Sequence, residues 1–518
     1  MTIAEMLAAA RAHRQAGRFA AARALSAEIL QREADNVDAL YLAAIAAQAD
    51  GDLPAAIDLM ARALALKPGF AAGYGHFGVM LGNNGQLAAA IDALQTALSL
   101  APDDLESRRH LLNCLLYVPD LPASVRFAAH REFAARHRPP FEHRLPPPAN
   151  DRDPGRRLRI GILSSDLRSH PVGQMLLSIF RHRDKAAIEL YCYAELQQPD
   201  IRTDAIRALC DGWRPTLGLD DRAVAELIRG DGIDLLAISG GHFDRNRPLI
   251  ACYRPAPVQI SMFDGATSGL DDIDVLVTDP VLSPADGATE RFTERLAKLP
   301  HLFHFPRFGD TPPIKPLPAS TNGFVTFGSF NNPIKISHRT VTLWARTLLA
   351  VPQSRLILKY RKRFSDPLLC VRLRTAFGAL GVDPARIQFI AIDDAEDAHL
   401  ERHGAVDIAL DTVPFNGCTT TFEALWMGVP VIALAGDTMM SRMSASILTA
   451  AGLPDLIARA PDAFVTMATK LAADLDRLVG LRAGLRDQVA RSSLCDGPAY
   501  ARSLEALWRA LWHDWCAA

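Results

Sequence analysis

The sequence predicts an α-helical repeat solenoid followed by two Rossmann-like α/β domains. Three observations carry this: a 34-residue echo over residues 3–104, short apolar runs alternating with helical segments from Leu158 onward, and a Pro-rich break at 305–319 that splits the alternation in two. At 518 residues the chain is too long for one core, so several domains are required. Apolar residues are 49% and charged residues 22%, the balance of a soluble globular protein. The formal net charge of -2 supplies no global field for nucleic acid or an anionic membrane, so neither is expected as a partner. Any anion site must be local.

In the first region Gly17, Gly51 and Gly85 recur at a step of 34, as do Ala22, Ala56 and Ala90, and Leu30, Leu64 and Leu98. Pro68 and Pro102 close two of the units, and Ala34 stands at the matching place in the first. Small residues at fixed places let the helices of a hairpin approach closely, and proline ends the second helix. Period and anchors resemble the tetratricopeptide repeat, with a helix near 105–117 as a cap, giving a first domain of 1–117. Three repeats are enough for a stable stack. They either pack only against the next domain or offer a groove to a protein partner. Residues 118–157 follow as a helix and a linker, whose stretch RPPFEHRLPPPANDRDPGRR (138–157) is too rich in proline and charge for a packed helix.

Candidate strands at 158–163, 188–194, 233–239, 257–263 and 274–279 make up a domain of 158–319. A second series at 323–330, 354–360, 386–392, 406–412 and 429–435, with helices such as 338–350, 370–380 and 418–427, makes up 320–495, and 496–518 forms a C-terminal helix. Such alternation implies parallel sheets covered on both faces. Ligands are expected at the carboxyl ends of the strands, in the cleft between the two domains.

The loops after four of these strands carry unusual residues. SSDLRSHPVGQM brings His170, GGHFDRNR brings His242, NNPIKIS brings Asn332 and Lys335, and VPFNGCTTTFE brings Cys418, Thr419, Thr420 and Glu423. A fifth segment, DDAEDAHLER, sets His399 and Arg402 one helical turn apart. The Asn-Gly-Cys-Thr-Thr-Thr run admits two readings. Thr is a good N-cap and Asn-Gly a turn pair. Hydroxyls and free N–H groups at a helix start also make a phosphate seat. Lys335, this helix start and His399 are expected on one rim, which favours a diphosphate.

Neither a G-x-x-x-x-G-K-S/T loop nor a G-x-G-x-x-G on the first strand is present, so ATP hydrolysis and dinucleotide redox chemistry are poor readings. The eight cysteines are scattered without ligand spacing, and acidic pairs such as Asp271-Asp272 assemble no metal site, so no metal and no cofactor is expected. Reduced thiols, an N-terminus unlike a signal peptide, and no uninterrupted apolar run long enough to span a bilayer predict a cytoplasmic protein.

FGSFNNPIK, LDTVPFNGCTTTFEALWMGVPV and SSDLRSHPVG, following tetratricopeptide repeats, resemble the O-GlcNAc transferase/SPINDLY family of glycosyltransferases (family 41). RPAPVQ (254–259) and LCDGPAYA (494–501) extend the resemblance to the C-terminus. It implies a GT-B enzyme that moves a sugar from a nucleotide diphosphate to Ser/Thr hydroxyls of protein clients, with inversion and without a metal. Carried over by motif, Lys335 contacts the diphosphate with Asn332 beside it, and Thr419 and Thr420 hold the β-phosphate. Glu423 binds the ribose, and His399 and Arg402 flank the base and the phosphate. His170 matches a histidine proposed as general base or acceptor-site residue, ahead of His242. Cys418 stands where O-GlcNAc transferases carry His, and Glu396 where they carry Lys. NGFVTFGSFNN leans toward the SPINDLY branch, while His170-Pro171 and Asn416-Gly417 lean toward the other. The resemblance implies GlcNAc from UDP-GlcNAc as the donor sugar. A GDP-fucose O-fucosyltransferase, a flagellin glycosyltransferase with another donor, and a non-catalytic repeat adaptor are the alternatives.

Overall fold

Six helices pair into three hairpins: α1 (Ile3–Gln15) with α2 (Phe19–Arg32), α3 (Val37–Ala49) with α4 (Leu53–Leu66), and α5 (Ala71–Asn83) with α6 (Leu87–Leu100). The structure, a computed structural model, describes residues 1–286, 289–309, 311–392 and 396–518, without the side chains of 396 and 397. The repeating glycines all take positive φ, 70° at Gly17, 84° at Gly51 and 70° at Gly85. At Gly17 and Gly51 a Cβ would meet nothing within 4 Å, so glycine serves the left-handed turn and not close packing. Close approach falls to the alanines, since Ala22, Ala56 and Ala90 are all buried between helices.

Two further helices, α7 (Leu105–Leu115) and α8 (Ala123–His137), lead to the Pro-rich segment, which holds one short 3-10 helix at Phe141–His143. Arg138 and Arg144 from this segment both reach the fully buried Asp272, which fastens it to the first α/β region.

That region runs β1 (Leu158–Ser164), α9 (Pro171–His182), β2 (Ile188–Ala194), α10 (Ile201–Arg207), β3 (Gly212–Pro215), α11 (Asp221–Gly230), β4 (Leu235–Ser239), β5 (Val258–Met262), β6 (Val275–Thr278) and β7 (Arg295–Lys298). The second runs α12 (Ala319–Asn322), β8 (Thr326–Ser329), α13 (His338–Ala350), β9 (Arg355–Lys359), α14 (Pro367–Ala379), β10 (Ile387–Ile390), α15 (Glu396–Glu401), β11 (Ile408–Leu410), α16 (Thr419–Trp426), β12 (Val431–Leu434), α17 (Met443–Ala450) and β13 (Ile457–Ala458). Helices α18 (Pro461–Ala473), α19 (Leu475–Arg491) and α20 (Gly497–Ala517) complete the chain. Across the described residues no helix is long and apolar enough to cross a membrane.

Both sheets are parallel throughout, in the orders β3-β2-β1-β4-β5-β6-β7 and β10-β9-β8-β11-β12-β13. Strands β3, β7 and β13, absent from the sequence expectation, each lie at a sheet edge. Edge strands are covered on fewer sides and need no continuous apolar run, and GWRP and RLAK show none. In each sheet the strand order reverses at one place, between β1 and β4 in the first and between β8 and β11 in the second. Crevices open at such reversals, beyond the carboxyl ends of the strands. Helix α20 crosses back to the first region. Its Tyr500 hydroxyl donates to Leu302 O at 2.6 Å, and Trp512 Nε1 donates to Asp153 O at 3.2 Å.

Candidate active site

The loop after β11 is built around a buried carboxylate. Asp411 Oδ1 accepts from the backbone N–H groups of Thr412 at 2.8 Å and Gly417 at 2.7 Å, which curls the chain back toward α16. Helix α13 holds the outside of the curl, with Thr340 Oγ1 donating to Val413 O at 2.8 Å and Trp344 Nε1 to Asp411 O at 3.1 Å. A Cβ at Gly417 would stand 2.5 Å from Thr421 Oγ1 and 2.8 Å from Thr420 Oγ1, so only glycine lets the loop turn this tightly into the helix.

Helix α16 then starts without a side-chain cap. The N-cap position belongs to Cys418, and Thr419, Thr420 and Thr421 occupy the first turn. The N-cap role that threonine suggests is therefore not the one taken here. Thr421 turns inward to Ser444 at 2.7 Å, whereas Thr420 donates to Asn331 Oδ1 at 3.0 Å and, with Thr419, faces the cleft. A helix start left without a capping side chain keeps its positive dipole end available to an anion.

Lys335 meets this helix start from the loop after β8. Its Nζ donates to Asn416 O at 2.7 Å and lies 4.4 Å from the centre of the Phe415 ring. Burial lowers the ammonium to about 8, with Asp411 and Cys418 opposing the shift, so at neutral pH the charge is mostly retained. Burial pushes the Cys418 thiol up to about 12, which keeps it neutral. Asn332, just before Lys335, lines the same wall and caps its own turn through Ile334 N at 3.3 Å.

His399 on α15 sits between two partners. Lys359 Nζ, a donor only, meets Nδ1 at 2.8 Å, so Nδ1 accepts and the ring proton lies on Nε2. Nε2 faces Glu423 Oε2 at 3.2 Å and donates to it. Lys359 is thus a site residue that the strand-like text SRLILKY did not single out. A lysine at the carboxyl end of an apolar parallel strand is the signal that was there to find.

The facing wall comes from the loops after β1 and β4. His170 is the N-cap of α9, its Nδ1 accepting from Val172 N at 3.4 Å, with Asp166 Oδ1 3.6 Å from Nδ1 and Asp244 Oδ2 3.7 Å from Nε2. Burial raises the Asp166 carboxyl above its usual range, His170 and an Asn246 amide bond oppose this, and Asp244 adds to it. One ligand atom from each of Asp166, His170 and Asp244 falls within 4.8 Å of the others, a grouping that could hold a metal ion.

A cleft of about 650 Å³ separates the two walls. It brings together His170, Asn332, Lys335, His399, Cys418, Thr419, Thr420 and Glu423. His242 and Arg402 are not among its lining residues. The His242 ring is buried, its Nε2–H donates to Ser268 O at 3.0 Å, and it packs edge-on against Phe133 at 4.4 Å. Burial lowers it to about 4, so it is neutral and ties the β4 loop to α8. Arg402 opens the short turn Arg402–Ala405 beyond α15. The Glu396 side chain lies outside the described residues.

The model of the glycosyl transferase family 41 matches residues 130–311 and 317–504. A probable UDP-N-acetylglucosamine–peptide N-acetylglucosaminyltransferase SPINDLY from Petunia hybrida is 34% identical over 421 residues, covering 80% of this chain and 45% of its own length. The Arabidopsis thaliana protein of the same description is 34% identical over 425 residues, covering 80% and 46%. The chain thus spans about half the length of the curated relatives it matches. An O-GlcNAc transferase from Thermobaculum terrenum, solved as a point mutant, superposes with a TM-score of 0.90 at 35% identity, covering 99% of this chain and 98% of that one. By the extent of the family match and the identity to these relatives, the chain belongs to glycosyltransferase family 41.

Proposed function

We propose that the chain transfers GlcNAc from UDP-GlcNAc to Ser or Thr hydroxyls of a protein client, in one displacement that inverts the anomeric carbon. The observation that carries this reading is the meeting of Lys335 with the open start of α16, across the cleft from His170. In the step, the acceptor oxygen forms its bond to the anomeric carbon as the bond to the β-phosphate oxygen breaks. UDP departs, and the hydroxyl proton passes to His170. Growing charge on the leaving phosphate is met by Lys335, by the Thr419 and Thr420 hydroxyls and by the helix dipole, which supplies ~0.3–1 kcal/mol and up to ~2 when partly buried.

The other residues serve binding. Asn332 lies beside the diphosphate, Glu423 takes the ribose, and His399, held in one tautomer by Lys359, flanks the base. Asp166 and Asp244, 3.6 Å from Nδ1 and 3.7 Å from Nε2, flank the His170 ring and hold its orientation. No metal is required in this reading, and the repeats help hold the client. The names of the SPINDLY relatives support UDP-GlcNAc as donor. The test is a binding panel of UDP, GDP and CMP against the purified protein, followed by detection of the transferred sugar on Ser/Thr peptides. UDP binding tightest, with GlcNAc on peptide, is expected. Preference for GDP with fucose transfer would replace the donor, and no nucleotide binding at all would leave a repeat adaptor.

A further inference from the structure

The exit of the repeat region reaches into the cleft. Tyr117, two residues past α7, stacks on Phe415 with ring centres 4.5 Å apart and planes 11° from parallel. Phe415 is the ring against which the Lys335 ammonium rests at 4.4 Å. Among the described residues the ammonium makes one hydrogen bond, to Asn416 O at 2.7 Å, and beyond it the Phe415 ring face and the nearby Asp411 charge draw it. A lysine tip on four rotatable bonds holds a useful position only while its supports stay still.

The loop that carries Lys335 is gripped by the repeats at a second place. The turn of the third hairpin lies against Pro333: a Cβ on Gly85, whose φ is +70°, would stand 3.2 Å from Pro333 O. Arg372 of α14 donates to Asn84 O in that same turn. Farther along, Asp120 pairs with Arg339 of α13 at 2.6 Å. The repeat region is therefore packed against both loops that form the phosphate end of the cleft.

We propose that Tyr117 is a positioning residue for the transfer reaction. It fixes the Phe415 ring and so holds the Lys335 ammonium at the diphosphate, making the end of the repeat region part of the donor site. The proposal rests on the reading of Lys335 given above. It deepens that reading by naming what aims the lysine.

The experiment measures the ratio of Kd for UMP to Kd for UDP on the full chain (GMP and GDP should the panel select guanine). This ratio reports what the β-phosphate gains from its partners, and a general loss of fold or of nucleoside contact leaves it unchanged. Lys335→Ala should collapse the ratio. Tyr117→Leu should lower it about fivefold to tenfold, Phe415→Leu should reproduce that drop, and Tyr117→Phe, which keeps the stacking ring, should rescue it. A ratio unmoved by Tyr117→Leu and Phe415→Leu while Lys335→Ala collapses it overturns the positioning role alone. Equal weakening of UMP and UDP by Tyr117→Leu overturns it too, as does loss of the ratio in Tyr117→Phe. A ratio insensitive to Lys335→Ala removes the functional reading itself.

Discussion

The two α/β regions are built to one plan and carry opposite chemistry. Each reverses its strand order once, at β1/β4 and at β8/β11, and each places two loops at that reversal. In the first region those loops bring Asp166, His170 and Asp244, an acidic pair around an imidazole. In the second they bring Lys335 and the uncapped start of α16, a cation beside a row of polar donors. Strand order thus decides where a ligand sits, and the residues on the loops decide what is done to it. One wall suits a group that takes a proton, and the other a group that leaves with negative charge.

The sharpest way to break this division is at Lys335. Lys335→Ala should lower kcat by about 10³-fold under saturating donor, the effect of removing a preorganised partner of a developing anion. Normal turnover in that variant would leave the cationic wall without its role. His170→Ala should cost about 10²-fold, toward the lower end of what a positioned base supplies. Wild-type turnover there would hand the proton to a phosphate oxygen of the donor and leave the second wall intact.

A smaller effect follows from charge alone. Burial holds Lys335 at about 8, below the usual lysine range, so its positive charge is present below that pH and is lost as pH rises through it. The donor kcat/KM should bend downward near pH 8 and fall about tenfold per further pH unit, and the bend should vanish from the residual activity of Lys335→Ala. The smallest expected effect is that of a chelator. Asp166, His170 and Asp244 are spaced closely enough to bind a metal ion, yet turnover should change by less than about twofold in excess EDTA if they serve as base and supports. Loss of activity that returns on adding a divalent ion would rewrite the first wall as a metal centre.

The comparison also shows which features were legible in the sequence. The helices at 338–350 and 418–427 and the central strands stood out because buried parallel strands are short apolar runs and their helices are amphipathic. Strands β3, β7 and β13 did not, because edge positions relax that demand. Lys335, Thr419 and Thr420 were legible as polar residues in loops after strands, and His399 as one helical turn from Arg402 in DDAEDAHLER, and the structure lines one cleft with Lys335, Thr419, Thr420 and His399. His242 met the same criterion but turns into the α8 interface, since a ring that can be buried with one hydrogen bond and aromatic neighbours need not face a cleft. Lys359 and Tyr117 were hidden, the first at the end of an apolar strand and the second beyond the last repeat.

From the sequence alone came the repeat period, the alternation of strands and helices, and the polar residues after the strands. These are local, set by the backbone geometry of turn, helix and strand and by which side chains can be buried. Only the tertiary structure decided that four loops far apart in the chain share one cleft, that Thr421 turns inward while Thr420 faces the cleft, and that Tyr117, just past α7, supports a lysine in the second α/β region. Those outcomes depend on strand order and on side-chain packing between distant segments, and no local pattern encodes either one.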